Sequence, residues 1–269
     1  MSSLTSPLRW SSHWTEEAKI AFFTNTNRFD YSVPPLYIRA IRRLLWAWNA
    51  VSANRVAFQQ GPSRPDAPYV LVTAHVQPEA SVDVWGAPFN NQVEAIRALS
   101  RILPVGCEIL VKEHRAAMGC RSRAVYDELS RIPGVRLIHH GADTPSLIRG
   151  AQLVASPAGT ACYEAALMGV PAVCFGHIFF GQALVQDGFD PFEMDRARMA
   201  AFLADIRAAR EHGDIARRAE QFLAHAIANS FPGRFTDPTD AYVMSDENLD
   251  RVAAGLLAAL DYRRRHASA

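Results

Sequence analysis

From residue 69 onward, short apolar runs alternate with longer amphipathic ones, and this alternation constrains the fold more than any other feature of the sequence. It is typical of βα units arranged around a parallel sheet. Five such units in about 110 residues predict an α/β fold, a Rossmann-like parallel sheet with flanking helices that binds ligands at the carboxyl ends of its strands. The predicted strands cover residues 69–75, 107–113, 135–140, 151–156 and 171–176, and the predicted helices cover residues 91–102, 122–131, 145–150 and 160–168.

Two regions flank these units. Residues 1–68 are predicted to be an N-terminal extension with one amphipathic helix, and residues 69–269 a Rossmann-like domain that ends in a helical tail. The predicted tail helices cover residues 195–210, 215–228 and 247–264.

The helix predicted in the extension, at residues 37–51, has an apolar stripe and several arginines. Ile38, Ile41, Leu45 and Trp48 recur at helical spacing, whereas the arginines fall mostly on other faces. We expect this helix to dock on the sheet domain with its arginines in water. The alternative is a basic, Trp-bearing helix that lies on a membrane surface.

Composition excludes several classes of partner. The 28 basic and 27 acidic residues balance to a net charge of +1, so no overall field would recruit nucleic acid or an anionic membrane. The four cysteines form no C-x-x-C pair, and we expect them to be reduced. No run of about 18 uncharged apolar residues is present, so the sequence predicts a cytoplasmic protein with at most peripheral contact to the inner membrane. No metal-ligand cluster or cofactor motif is visible.

Polar residues follow the first predicted strand in the segment HVQPEAS, residues 75–81. Pro78 restricts Gln77 to an extended conformation, and such a loop can direct Glu79 into a cleft. The alternative is a solvent-facing turn in which Glu79 caps the following segment.

The second predicted strand ends in Lys112, Glu113 and His114. Alternation along a strand directs Lys112 and His114 to one side and Glu113 to the other. Lys112 and His114 could then both face a phosphate, although a surface ion-pair cluster remains an alternative.

The segment SPAGTACYEA, residues 156–165, joins the fourth predicted strand to a helix. Gly159 allows close approach of the backbone to a ligand, Thr160 is expected to be the N-cap, and the free amides of the first turn favour a phosphate. Glu164, one turn into the helix, could reach the diol of a ribose. The segment has neither a Walker A nor a G-x-G-x-x-G pattern, which disfavours kinases and dehydrogenases. Tight packing alone is the alternative explanation.

These motifs together resemble a known family. The pattern Glu-Ala-x-x-x-Gly-x-Pro from Glu164 to Pro171 resembles the nucleotide-sugar signature of GT-B glycosyltransferases, whose glutamate usually holds the donor ribose. In order and spacing, HVQPEAS, VKEH and SPAGTACYEAALMGVPAVCFG closely resemble the capsule polysaccharide biosynthesis and export family, which includes Kdo transferases. The resemblance covers roughly residues 67–176 and implies a single GT-B-type half, the C-terminal nucleotide-binding one.

Two departures from the family pattern stand out. The family's Lys-Glu-His-Pro segment resembles the histidine-proline motif of bacterial sialyltransferases, which meets the CMP moiety, and here Arg115 replaces that proline. This replacement loosens the turn after His114 and adds a cation near any phosphate. GT-B enzymes also pair two Rossmann-like domains of about 100 residues or more each, so we expect the acceptor half to be missing, truncated or supplied by a partner chain.

The resemblance implies a glycosyltransferase, or its donor-binding half, that transfers sugar from a nucleotide-sugar donor such as CMP-Kdo to a glycan acceptor in capsule or surface polysaccharide biosynthesis. The donor is a substrate, and metal independence is expected. The alternatives are a non-catalytic nucleotide-binding or scaffold module of the capsule machinery and a GT-B-like sugar-nucleotide epimerase. The candidate residues are Glu79 and His114 for catalysis, Ser156, Gly159 and Thr160 for phosphate, Glu164 for ribose, Lys112 with His114 for the charge of the departing nucleotide, and Gln77 and Glu113 for other substrate contacts.

Overall fold

The computed structural model describes residues 36–234 and 240–266, and the described residues contain one parallel sheet. Val72 at its centre pairs with Val111 on one side and Ala155 on the other. The α/β prediction is therefore confirmed. The strands are β1 (Tyr69–Thr73), β2 (Glu108–Lys112), β3 (Val135–Ile138), β4 (Leu153–Ser156) and β5 (Ala172–Cys174), in the spatial order β3-β2-β1-β4-β5.

Helices flank the sheet and form the C-terminal tail, as predicted. Each predicted strand and helix is present, and the largest differences in bounds are two residues, as at β1, which was predicted to end at residue 75 and ends at Thr73. The helices are α1 (Leu36–Ala53), α2 (Gln92–Ile102), α3 (Arg123–Ser130), α4 (Thr144–Gly150), α5 (Thr160–Leu167), α6 (Arg196–Glu211), α7 (Asp214–Ala228) and α8 (Asp246–His266), with short helical turns at Ser81–Trp85, Ala87–Phe89, Arg115–Ala117 and Gly181–Ala183.

The sheet is buried on both faces. Val70 and Val72 of β1 belong to an apolar cluster that includes residues of α2, α3 and α6, whereas Tyr69 and Leu71 belong to a second cluster with residues of α4, α5 and α7. Because parallel strands covered on both faces have no solvent side, they appear in the sequence as continuous apolar runs. This double burial explains why β1 and β4 were recognisable from their composition.

The N-terminal helix α1 docks through a different face from the one that its apolar stripe suggested. It contacts α3, and Trp46 lies so close to Gly119 that a Cβ on that glycine would be 2.6 Å from the indole ring. Ile41, Leu45 and Trp48 of the predicted stripe are instead exposed, by 54%, 56% and 71%. Helical spacing identifies an apolar face, but it does not identify what covers that face.

Part of the predicted N-terminal extension contacts the edge of the sheet. The backbone amide of Gln59 donates to Leu137 O at 2.8 Å, and His139 N donates to Gln59 O at 2.9 Å. Residues 1–35 of the extension lie outside the described residues, and the division at residue 68 stays a prediction. No helix in the part of the chain that the structure describes is long and apolar enough to cross a membrane.

The four cysteines are free, as expected. Cys162 and Cys174 are fully buried, and the Cys162 thiol donates to Val173 O at 3.2 Å. Burial raises the pKa of Cys162 above its ordinary value and raises the pKa of Cys107 to about 11. These two thiols therefore act as small apolar groups that stay protonated near neutral pH.

Candidate functional site

A cleft of about 420 Å³ opens at the carboxyl edge of the sheet. The chain runs from β1 outward to β2 and β3 on one side and from β4 to β5 on the other, so the strand order reverses between β1 and β4. Connections diverge at such a switch point and leave a crevice outside the strand ends. Its lining includes the predicted site residues Glu79, Lys112, Glu113, His114, Gly159, Thr160 and Glu164, together with Thr73, His75, Ser81, Arg115, His140 and Thr144.

The first turn of α5 forms one wall of the cleft. Its N-cap is Gly159, with φ −92° and ψ 142°, and Thr160 is the first helical residue. The predicted N-cap role of Thr160 is therefore wrong by one position, because Gly159 is the last residue with extended backbone. Among the described residues, no side chain caps this helix, and its first amides remain available for an anion.

Gly159 has a packing role within the chain itself. A Cβ at this position would be 2.5 Å from Ser156 Oγ and 2.6 Å from His75 Cε1. Ser156 is fully buried, and its hydroxyl lies 3.4 Å from both Thr73 O and His75 Nδ1. Ser156 is therefore beneath the cleft, where it supports His75, and the structure does not place its side chain in the lining as predicted.

His75 lines the cleft although it was not among the predicted site residues. Its Nδ1 lies 3.3 Å from Thr73 O, an acceptor, so we assign the ring proton to Nδ1. Burial lowers the pKa of His75, and the nearby Glu79 carboxylate only partly opposes this effect. The ring is therefore neutral near pH 7, with an unprotonated Nε2. The only signal in the sequence was its place directly after an apolar run.

Three basic side chains line another wall of the cleft: Lys112 at the end of β2, and His114 and Arg115 in the segment after it. Lys112 Nζ donates to His140 O at 2.9 Å, and burial lowers the pKa of Lys112 while Glu113 opposes the shift. His114 Nδ1 accepts from Ala116 N at 3.1 Å, so a neutral His114 carries its proton on Nε2. Lys112 and His114 both line the cleft, as predicted, but Glu113, which strand alternation directed to the other side, lines it too, because β2 ends at Lys112.

Arg115 occupies the place of the family's proline and begins the short turn Arg115–Ala117. His114 is the N-cap of this turn and closes it with its own ring nitrogen. The chain after His114 is therefore a hydrogen-bonded turn, and its looseness relative to a turn with proline stays a prediction.

Two residues predicted to contact the ligand, Glu113 and Gln77, have side chains that bond to other residues of the chain. Glu113 is 3% exposed, pairs with Arg121 at 2.8 Å, and accepts from His114 N at 2.7 Å. Gln77 donates to Asn90 O at 2.9 Å and accepts from Gln92 Nε2 at 2.9 Å, and it lies outside the cleft lining. The structure thus places Gln77 outside the lining, while Glu113 lines the cleft with a buried carboxylate that is already paired, as a buried charge requires. Direct substrate contact by Glu113 stays a prediction.

Glu79 and Glu164 present exposed carboxylates at the cleft, as predicted. Glu164 lies one turn into α5. The hydroxyls of Thr73 and Ser81 are buried in the lining and have no hydrogen-bond partner within residues 36–234 and 240–266. Because a buried hydroxyl without a partner is costly, these two groups are suited to bonding a bound ligand. The described residues contain no group of three or more metal-ligating side chains.

Comparisons with known proteins find solved structures and a family model that resemble this chain. The solved structures that resemble the chain include the beta Kdo 2,4 transferase of Thermosulfurimonas dismutans KpsC, at 17% identity and a TM-score of 0.38 over 64% of this chain and 56% of that one. The beta Kdo 2,7 transferase of the same KpsC matches at 16% identity and a TM-score of 0.39, over 70% of this chain and 57% of that one. A putative UDP-N-acetylglucosamine 2-epimerase from Listeria monocytogenes matches at 20% identity and a TM-score of 0.37, over 67% and 50%.

The chain therefore spans about half the length of these structures. No curated protein sequence matches it. The family model described as capsule polysaccharide biosynthesis protein matches residues 20–209, well over half of the chain. The chain belongs to the capsule polysaccharide biosynthesis protein family.

Proposed function

We propose that this chain binds a nucleotide-activated sugar in the cleft and is a glycosyltransferase, or the donor-binding half of one, in capsule or surface polysaccharide biosynthesis. The observation that carries the proposal is the arrangement of the two walls. The uncapped first turn of α5 faces a segment that supplies Lys112, His114 and Arg115. Backbone amides and cations around one crevice form a site for phosphate in a chain whose net charge is only +1.

The nucleotide fits this arrangement with its phosphate at Thr160 and its ribose at Glu164. One helical turn, about 5.4 Å, separates these residues and is comparable to the distance between the phosphate and the ribose hydroxyls of a nucleotide. The Glu164 carboxylate can accept hydrogen bonds from both ribose hydroxyls. CMP-Kdo is the proposed donor, because the segment at His114 resembles the one that meets CMP in sialyltransferases.

The chemistry assigned to the site is stabilisation of the departing nucleotide. When the bond between the sugar carbon and the phosphate oxygen breaks, the electron pair remains on that oxygen. His114 Nε2–H and the two Lys112 protons not used by His140 O would donate to the phosphate as its charge grows. Glu79 is proposed to accept the proton of the attacking acceptor hydroxyl, which a glycan held by a second domain or partner chain would supply.

Calorimetric titration of the purified chain with CMP, UDP and CMP-Kdo tests the proposal. We expect CMP to bind, and Glu164→Gln to weaken binding about tenfold through loss of charged hydrogen bonds. Glu220→Gln is the matched control, an exposed glutamate on α7 outside the cleft. No binding of any nucleotide would refute the proposed function. Unchanged affinity in Glu164→Gln would refute the ribose assignment alone.

A transfer assay with CMP-Kdo and a capsule-type acceptor separates the enzyme from a non-catalytic module. Glu79 and His114 both line the cleft, and this favours catalysis. Nucleotide binding without transfer, also when a candidate partner chain is added, would indicate a nucleotide-binding or scaffold module. Conversion of a UDP-sugar into its epimer would instead indicate an epimerase.

We also propose that α1 contacts the anionic inner membrane from the cytoplasmic side. The helix contains three arginines and no acidic residue, and Leu44 and Trp48 on its apolar side are 72% and 71% exposed. Basic helices with exposed Trp and Leu lie in the membrane interface. Co-sedimentation with anionic vesicles should fall in Trp48→Glu but not in the control Val105→Glu, which alters a 93% exposed loop residue. If the wild type, Trp48→Glu and Val105→Glu sediment equally with the vesicles, this proposal is contradicted.

A further inference from the structure

A buried ion pair lies at the wall of the cleft. Arg121 and Glu113 have side chains that are 12% and 4% exposed, and Arg121 Nε donates to Glu113 Oε2 at 2.8 Å. Arg121 lies between the turn Arg115–Ala117 and α3, and it is not part of the cleft lining. Arg121 therefore has no direct access to a ligand in the cleft, whereas Glu113 is one of the lining residues.

This pair connects the two loops that supply His75 and His114 to the cleft. Arg121 Nη2 donates to the backbone carbonyl of His75 at 2.8 Å, across 46 positions of sequence. Glu113 Oε1 accepts from the backbone amide of His114 at 2.7 Å. A continuous path of hydrogen bonds thus runs from His75, through Arg121 and Glu113, to His114.

Gln92 of α2 completes the support of His75. Its Oε1 accepts from His75 N at 2.8 Å, and its Nε2 donates to His75 O at 3.1 Å. Both backbone groups of His75 are therefore bonded to buried side chains, because the residue lies beyond the end of β1 and its strand pairing.

We propose that Arg121 is a positioning residue: bonded to Glu113, it holds the backbone at His75 and His114 so that both rings face the cleft. The proposal rests on the proposed function, since it assigns Arg121 to the nucleotide site. A buried ion pair is weak evidence for stability, because its desolvation cost can exceed its attraction. The planar guanidinium does supply donors in two fixed directions, here to a carboxylate and to a carbonyl. Support of this kind is what a preorganised site requires.

The chain offers a matched control at the other end of β2. Arg136 Nε donates to Glu108 at 2.8 Å, at the opposite end of β2 from the cleft. Arg121→Gln and Arg136→Gln each break one arginine–glutamate pair attached to β2. Only Arg121→Gln removes a bond to the cleft loops.

The experiment measures CMP affinity, thermal stability and amide hydrogen exchange of residues 74–79 and 113–117 in both variants. We expect Arg121→Gln to weaken CMP binding about tenfold and to speed exchange in both segments, because the supporting bonds are lost. Arg136→Gln should leave the CMP affinity and the hydrogen exchange of both segments as in the wild type. Arg121→Lys should recover the thermal stability lost in Arg121→Gln, because it keeps the positive charge. It should not recover the CMP affinity, since one ammonium nitrogen cannot occupy both the Nε and Nη2 positions.

Each outcome decides the question. If CMP binds the wild type and both glutamine variants equally, Arg121 has no positioning role. Full recovery of affinity in Arg121→Lys would also overturn the proposal, because charge alone would then suffice. If Arg121→Gln does not fold, Arg121→Lys carries the same test. Failure of the wild type to bind any nucleotide would refute the proposed function, and this inference with it.

Discussion

Replacing Gly159 by alanine tests how closely the site is packed. The backbone at Gly159, with φ −92°, accepts an alanine without strain, so the effect must come from contacts of the new methyl group. That group would be 2.5 Å from Ser156 Oγ and 2.6 Å from His75 Cε1, far inside van der Waals contact. Overpacking typically costs about 1–3 kcal/mol. We expect about 1–2 kcal/mol, because the crowded atoms are ends of side chains that can shift.

The assay is urea unfolding followed by tryptophan fluorescence, combined with CMP titration. A loss of about 1–2 kcal/mol changes the folded-to-unfolded ratio roughly 5- to 30-fold and lowers the midpoint without changing the slope. CMP affinity should fall as well, since His75 would be pushed into the cleft. The control is Gly61→Ala, whose methyl group meets nothing within 4 Å. A Gly159→Ala protein with the midpoint and CMP affinity of the control would refute the packing that we describe.

Two further predictions concern the same region. Gly176→Ala should cost about 3 kcal/mol or more in urea unfolding, because its Cβ would be 2.1 Å from the backbone oxygen of Trp85, which cannot rotate away; a loss no larger than that of Gly159→Ala would contradict this. Burial lowers the pKa of His75, so below about pH 6.5 the unfolded state binds more protons than the folded state. The free energy of unfolding therefore decreases as the pH is lowered, until the pH is below the pKa of His75 in the folded state. His75→Gln should lose less stability between about pH 7 and 5 than the wild type, and identical pH profiles would show that His75 is not the group responsible.

The order and bounds of the secondary structure could be predicted well, because they depend on local patterns. The strand β4 and the helix α5 illustrate this: an apolar run of three residues, a small-residue loop, then a helix that is soon followed by a glycine. Gly169 has φ +69°, the left-handed conformation expected after a helix. The N-cap of α5 was harder to predict, since Gly159 and Thr160 are both acceptable caps and only the dihedral angles distinguish them.

The candidate site could be predicted only in part. Glu79, Lys112, His114 and Glu164 line the cleft as expected, since Lys112 ends β2 and the other three lie in the segments that follow β1, β2 and β4. Gln77 could not be assigned from the sequence, because its partners Asn90 and Gln92 come from a turn and a helix whose approach is not encoded locally.

For this chain, local composition was sufficient to predict a parallel α/β sheet and to place its polar loops at one edge, because the carboxyl ends of parallel strands must meet there. Which of those polar residues face the cleft depended on packing between distant segments. Arg115 and Arg121 both lie between β2 and α3, yet Arg115 lines the cleft whereas Arg121 is paired with Glu113 and lies outside the lining. The reason is physical: a buried charge requires a partner, and that partner is found only when the helices and loops have come together.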